Sequence, residues 1–169
     1  MGTSSKEIHS THSTLRERIV EHVFVGEMLR SLWRRGIVDV EILRSEFDAH
    51  GYDLVIARGD VVRHIQFKTG TANRPGKVSV PLALSGKPAG GVLWIHVNDG
   101  LDLGPFFWFD GPPGEPLPPL GPAVPRRATH NSQGERPPRA NHREIQAGRF
   151  DRLETVEEVL VALLGDLTP

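Results

Sequence analysis

The sequence predicts an α/β protein, and three observations carry that prediction. Apolar residues recur at helical spacing near both ends: Phe24, Val25, Met28, Leu29 and Leu32 early, and Val156, Val159, Leu160 and Leu163 late. Between them lie strand-length apolar segments bounded by Gly, Pro and Asn. One of these, "GYDLVIARGDVVRHIQFKTG" (Gly51 to Gly70), reads as two short strands around a tight turn. A chain of 169 residues suits one domain with at most an appendage, and an apolar fraction of 38% suffices for one core.

In chain order, residues 1–13, "MGTSSKEIHSTHS", are polar and lack the apolar stretch of a secretory signal. They read as a disordered tail, and the expectation is a cytoplasmic protein. The first helix runs from Thr14 to Arg35. Thr14 and Glu17 have the spacing of a capping box, and Gly36 supplies the stop. Glu27, Arg30, Ser31 and Arg34 fall on its polar side. Val38 to Leu43 alternates as a strand does, and "RSEFDAHG" breaks the pattern. The hairpin strands follow near Asp53–Arg58 and Val61–Lys68, then a loop, "TGTANRPG". Val78 to Leu84 is a strand weakened by Pro81. "GGVLWIHVN" from Gly90 and "FFWF" at Phe106–Phe109 are further strands, whose Trp94 and Trp108 read as core.

Composition shifts after residue 110. Nine of the fourteen prolines fall between Pro112 and Pro138, so residues 111–150 read as an extended, Pro/Gly/Arg-rich extension. Its start, "FFWFDGPPGEPLPPL", is expected to cover an edge of the sheet. Residues 151–169 hold a terminal helix near Thr155–Leu164, with Thr155 and Glu158 as a second capping box, expected to pack on the core.

The net charge of −1 argues against a general polyanion coat. Basic residues are unevenly chosen, 16 Arg to 4 Lys, which suits bidentate phosphate contacts or follows from the base composition of the genome. Arg126, Arg127, Arg136, Arg139 and Arg143 gather in "PRRATHNSQGERPPRANHRE" against two glutamates. They read either as a mobile basic surface that follows a phosphate backbone or as a solvated loop. The absence of cysteine excludes a disulfide framework and a Cys-based zinc site. No apolar run approaches membrane-spanning length.

The hairpin carries the chemistry. With Gly59-Asp60 as the turn, Arg58 faces Val61, Leu54 faces Ile65, Ile56 faces Arg63, and Asp53 faces Gln66 with Cβ atoms about 5 Å apart. Gln66 and Lys68 share a face with Asp53, while Leu54, Ile56, Ile65 and Phe67 point into a core. A carboxylate and an amide oxygen so placed can share a hard cation such as Mg²⁺. A metal-bound water loses its proton readily, and the lysine can orient that water or stabilise charge on a phosphate. The plainer alternative is a strand-starting Asp beside a solvated sheet face. His64 shares the Gln66 face and either approaches a phosphate or packs.

These residues resemble the PD-(D/E)XK nuclease superfamily, the restriction-endonuclease-like fold. Its pattern is a helix with a glutamate, a strand, then a hairpin bearing Asp and (Glu/Gln)-x-Lys. Here that reads "VGEMLRSLWRRG", "VDVEILRSE" and the hairpin, within residues 14 to 97. The resemblance implies a central mixed sheet flanked by helices, with residues 14–110 as the nuclease-like core. It implies Asp53 and Gln66 as metal ligands, Lys68 as the catalytic lysine, Mg²⁺ or Mn²⁺ as cofactor, and DNA as partner. Glu27 matches the helix glutamate that orients metal or water. Glu21 competes, and Glu27 is preferred because it lies nine residues before Gly36. Gln66 replaces an acid, which favours a rival: a non-catalytic member that binds DNA or a protein. A homodimer and an immunity or antitoxin-like scaffold are further readings. The family's usual helix after the lysine strand is not expected, because Pro75, Pro81 and Pro88 leave residues 69–90 without a helical period.

Overall fold

The computed structural model describes residues 8, 11–47, 50–71 and 76–169. The elements are α1 (Ser13–Arg34), β1 (Glu41–Arg44), β2 (Leu54–Arg58), β3 (Val61–Gly70), β4 (Lys77–Pro81), a 3₁₀ turn (Leu82–Gly86), β5 (Gly90–Val97), β6 (Leu103–Asp110), β7 (His142–Gln146), a second 3₁₀ turn (Ala147–Arg149), β8 (Asp151–Leu153) and α2 (Val156–Leu164). The chain is thus α/β. Its main sheet is mixed and six-stranded, in the order β1-β2-β3-β5-β6-β8, and β4 and β7 form a separate pair. Among the described residues, only β3 and β5 pair in parallel.

Helical hydrogen bonding begins earlier than Thr14. His12 N–H donates to Ile8 C=O at 3.0 Å, and Arg16 N–H to His12 C=O at 2.9 Å. Thr14 therefore lies inside the helix and cannot cap it; His12 holds that place without a side-chain bond. Ile8 and Thr11–Ser13 thus depart from the expected tail, and residues 1–7, 9 and 10 lie outside the described ones. α2 behaves as its sequence indicates. Thr155 accepts the Glu158 N–H at 3.1 Å. The Glu158 carboxylate reaches one residue further back than expected, accepting from Glu154 N–H at 2.7 Å.

α1 and α2 cover the same face of the sheet. Val20, Phe24, Met28 and Leu32 of α1 and Val159, Leu160 and Leu163 of α2 close over Leu54, Ile56, Ile65, Phe67, Leu93 and Ile95. Arg63 is the exception on this apolar face. It is 5% exposed. Its Nε donates to Leu163 C=O at 3.1 Å, and Nη1 lies 3.3 Å from Asp110. It thereby satisfies a carbonyl at the end of α2, where a cation is favoured.

Among the described residues the opposite face carries no α-helix. β4 and β7 lie over it, and Leu117 and Leu120 of the proline-rich segment pack there with Val92, Trp94, Phe107, Phe109 and Ile145. The segment was expected to cover an edge; it covers a face, because β8 already pairs with β6 at Phe106–Trp108. Among its described residues the link from β3 to β5 contains no α-helix, in keeping with its prolines, and passes through β4 and the first 3₁₀ turn. β4 ends at Pro81, short of the expected Leu84. Thr69 and Gly70 are in β3 rather than in a loop, since they pair with Ile95 and His96. Residues 72–75 of that loop lie outside the described ones. No helix among the described residues is long and apolar enough to cross a membrane.

Candidate active site

The hairpin register is the expected one: Leu54 pairs with Ile65, Ile56 with Arg63 and Arg58 with Val61. Gly59 supplies the positive φ that the turn needs, at 56°. Asp53 stands one residue before β2, with its N–H donating to Ile65 C=O at 2.8 Å. Beyond it β2 and β3 part. On that side of β3 the Asp53 carboxylate takes the place of a strand: Oδ2 accepts Phe67 N–H at 2.8 Å and the Gln66 side-chain amide at 2.5 Å. Gln66 is 7% exposed, and its Nε2 also donates to Phe67 C=O at 3.2 Å.

A concavity of about 280 Å³ opens at this splay. It is lined by Thr14, Glu17, Arg18 and Glu21 of α1, and by Asp53, Gln66, Phe67, Lys68 and Thr69. Glu21 is buried and takes Arg18 at 3.0 Å, with Arg44 at 3.7 Å. Burial raises its pKa above the ordinary carboxylate value, the negative charge of Asp53 raises it further, and Arg18 and Arg44 oppose the shift.

Asp53, Gln66 and Lys68 therefore meet, but Glu27 does not join them. It is exposed and bonds Arg30 on the helix surface. At about 100° per residue the six-residue step from Glu21 swings the side chain to another side of α1. The sequence does hold a signal for Glu21, which follows Val20 on the flank of the stripe formed by Val20, Phe24 and Met28. Distance from Gly36 was the wrong measure; phase relative to the buried stripe is the right one.

The five arginines do not form one strip. Arg126 donates to Arg136 C=O at 2.9 Å, and Arg143 to Ala140 C=O and His142 C=O at 2.8 and 2.7 Å, so these two hold main chain. Arg127 and Arg139 instead line a second depression, and Arg136 is exposed. The segment is also not a loose surface, because Arg127 N–H bonds Pro137 C=O and Arg139 N–H bonds Pro125 C=O. His64 is structural: Nδ1 lies 2.9 Å from Pro88 C=O, and the ring meets Tyr52 edge-on. Trp94 and Trp108 are core.

Oxygen donors suited to a hard cation are present at the splay: two carboxylates, the Phe67 carbonyl, and the Gln66 amide oxygen once the amide turns over. Among the described residues no three His, Asp or Glu side chains gather into a metal site by themselves, so a cation here would need the amide and main chain as well. No family model matches the chain, and neither a curated protein nor a solved structure matches it.

Proposed function

We propose that the protein hydrolyses phosphodiester bonds in DNA with Mg²⁺ or Mn²⁺, as a PD-(D/E)XK-type nuclease of restriction-endonuclease-like fold. The observation that carries this reading is the convergence of Glu21, Asp53, Gln66 and Lys68 in one open concavity where β2 and β3 separate. The chain order supports it as well: an acid-bearing helix, a strand, then a hairpin bearing Asp and Gln-x-Lys. Glu21 replaces Glu27 in the set.

Glu21 and Asp53 bring like charges together in a partly buried place, and a divalent cation relieves that repulsion. These two carboxylates would hold it, with Gln66 adding an oxygen after its amide turns. Bound there, the metal supplies an acidified water and offsets charge on the phosphate. Arg18 and Arg44 keep the Glu21 carboxylate in place. Lys68 orients the attacking water or donates to a phosphate oxygen. Lys68→Ala is expected to lower Mg²⁺-dependent nicking of plasmid DNA by about 10²–10³-fold at unchanged melting temperature. Unchanged nicking refutes the assignment.

A second reading, a non-catalytic module that binds DNA or a protein, is favoured by one bond. Gln66 already donates to Asp53, so that pair is satisfied without a cation. Metal addition separates the two: if Mg²⁺ and Mn²⁺ neither raise the melting temperature nor support nicking, the binding module stands.

A further inference from the structure

We infer that the turn-back of residues 125–139, together with the entry to β7, forms a second anion site that holds a backbone phosphate of a nucleic acid strand a few nucleotides from the cleaved bond. This rests on the nucleic-acid reading above and names a second contact for the same substrate.

The main chain here is fixed by its own hydrogen bonds. Arg127 N–H donates to Pro137 C=O at 2.9 Å, Arg139 N–H to Pro125 C=O at 2.7 Å, and Arg126 and Pro138 form a bridge. At the tip, Asn131 Oδ1 accepts from Gln133 N–H and Glu135 N–H at 3.0 and 2.9 Å. The base is tied to the body by Leu82 N–H to Asn141 C=O and Glu144 N–H to Ala123 C=O, both 2.8 Å.

This frame encloses a depression of about 380 Å³ lined by Arg127, Thr129, Arg139, Asn141 and His142 with two alanines, and none of these residues is acidic. The nearby carboxylate of Glu144 is engaged by Lys77 at 2.8 Å. His142 Nε2 accepts from Arg139 Nη2 at 2.7 Å, which orients the guanidinium. A guanidinium has five N–H donors, so the rest of the fork can take a phosphate in bidentate fashion. Among the described residues the Arg127 side chain has no acidic partner. Two arginines, a hydroxyl and an amide on a hydrogen-bonded frame suit a phosphate oxygen cluster better than an apolar ligand.

The depression is connected to the active site through packed main chain. His142 pairs with Pro81 at the end of β4. Gly51, two residues before Asp53, sits so close to Pro81 that a Cβ there would meet the proline Cβ at 3.0 Å. These steps put His142 within about 20 Å of Asp53 along the contact path. That separation is within the length of a short run of nucleotides.

The test is fluorescence anisotropy with a fluorescein-labelled 20-mer, single-stranded and duplex, in EDTA so that no cleavage occurs. Arg127→Ala with Arg139→Ala is expected to weaken binding at least tenfold and to flatten the salt dependence by about one unit per arginine removed. Arg139→Lys, which keeps the charge and loses the fork, should fall between, and Arg34→Ala on the far helix should match wild type. Melting temperatures check that the variants fold. Equal affinity and salt slope in all variants overturn the site, as does a wild type that binds no DNA. A third overturning result is inorganic phosphate raising the melting temperature of wild type but not of the double variant while DNA affinity is unchanged; the depression is then a small-anion site only. Arginine-dependent DNA binding without metal-dependent nicking sinks the nuclease reading and leaves this one intact. Nicking that ignores both arginines does the reverse.

Discussion

One face of the six-stranded sheet lies under two helices, and the other under a two-stranded sheet and a proline-rich strap. The helical face is closed mainly by aliphatic side chains around Phe24, Phe67, Phe106 and Trp108. The strap face holds as many rings in a smaller cluster, and there they touch one another: Trp94 meets Phe107 and Phe150 at 5.8 Å, and Phe109 meets Phe150 at 5.4 Å. A helix satisfies its own backbone and brings only its stripe to the sheet. A strap cannot, so its polar main chain must bond to the body. It does so through Ala89 N–H to Glu115 C=O, and through Arg149, which donates to Leu120 C=O and Pro119 C=O at 3.0 and 2.7 Å. The candidate active site lies at the seam, with Glu21 contributed from the helical side and Lys68 from a β3 that continues past its hairpin partner.

This contrast can be broken by removing one core residue from each face. Phe24→Ala should cost about 3–5 kcal/mol and lower the melting temperature, because Phe24 is fully buried against Phe67 and Phe106. Ile145→Ala, equally buried under the strap, should cost about 2–5 kcal/mol. It should also open new protease cuts between residues 112 and 141 at temperatures where Phe24→Ala shows none. Identical cleavage patterns in the two variants would mean that the strap and the helices belong to one cooperative unit.

The same contrast explains what the sequence allowed one to read. α2 was legible to its capping residue, because a stripe and a cap are local signals. The hairpin was legible to its register, because the Gly59-Asp60 turn sets the pairing and one face must be apolar. β7 and β8 were missed: β4 pairs with β7 across a long stretch of chain, and no local pattern in "HREIQ" announces that partner. Arg63 was placed opposite Ile56 correctly, yet its role was hidden, since its partners Leu163 and Asp110 are distant in sequence. At the site, Asp53, Gln66 and Lys68 were readable because they share one hairpin. Glu21 was not chosen because helix phase, not spacing from the helix end, decides which glutamate lies under the sheet.

A smaller effect separates the two covers at their glycines. A Cβ on Gly111 would meet the Pro116 carbonyl oxygen at 2.4 Å, where the strap folds back on β6. Gly111→Ala should therefore cost about 1–3 kcal/mol, the usual range for forced overpacking. Gly26 lies inside α1 with nothing within 4 Å of an added Cβ. Gly26→Ala should stabilise by about 0.5–1 kcal/mol through helix propensity. Urea midpoints measure both. Matching signs would remove the distinction between a self-sufficient cover and one whose backbone depends on close approach.

The smallest stability effect concerns the acid that the helical cover lends to the site. Burial and Asp53 raise the pKa of Glu21 above its ordinary value of 4.5, and burial raises that of Asp110 above 3.8. A carboxyl whose folded pKa exceeds its unfolded one binds protons more readily in the folded state. Its favourable contribution is complete below the unfolded value and is lost as pH climbs through the folded value. Stability should therefore decline as pH rises from about 4 toward the raised values. Glu21→Gln should flatten part of that decline, leaving the share due to Asp110, and raise stability at pH 7 by less than about 1 kcal/mol, since the pairs with Arg18 and Arg44 weaken at the same time. Mg²⁺ should raise the melting temperature of wild type, where it neutralises the Glu21–Asp53 repulsion, and leave that of Glu21→Gln nearly unchanged. A variant less stable than wild type at pH 7, with an undiminished Mg²⁺ response, would mean that Glu21 serves the helix through its arginines and that the metal, if held at all, depends on the hairpin alone.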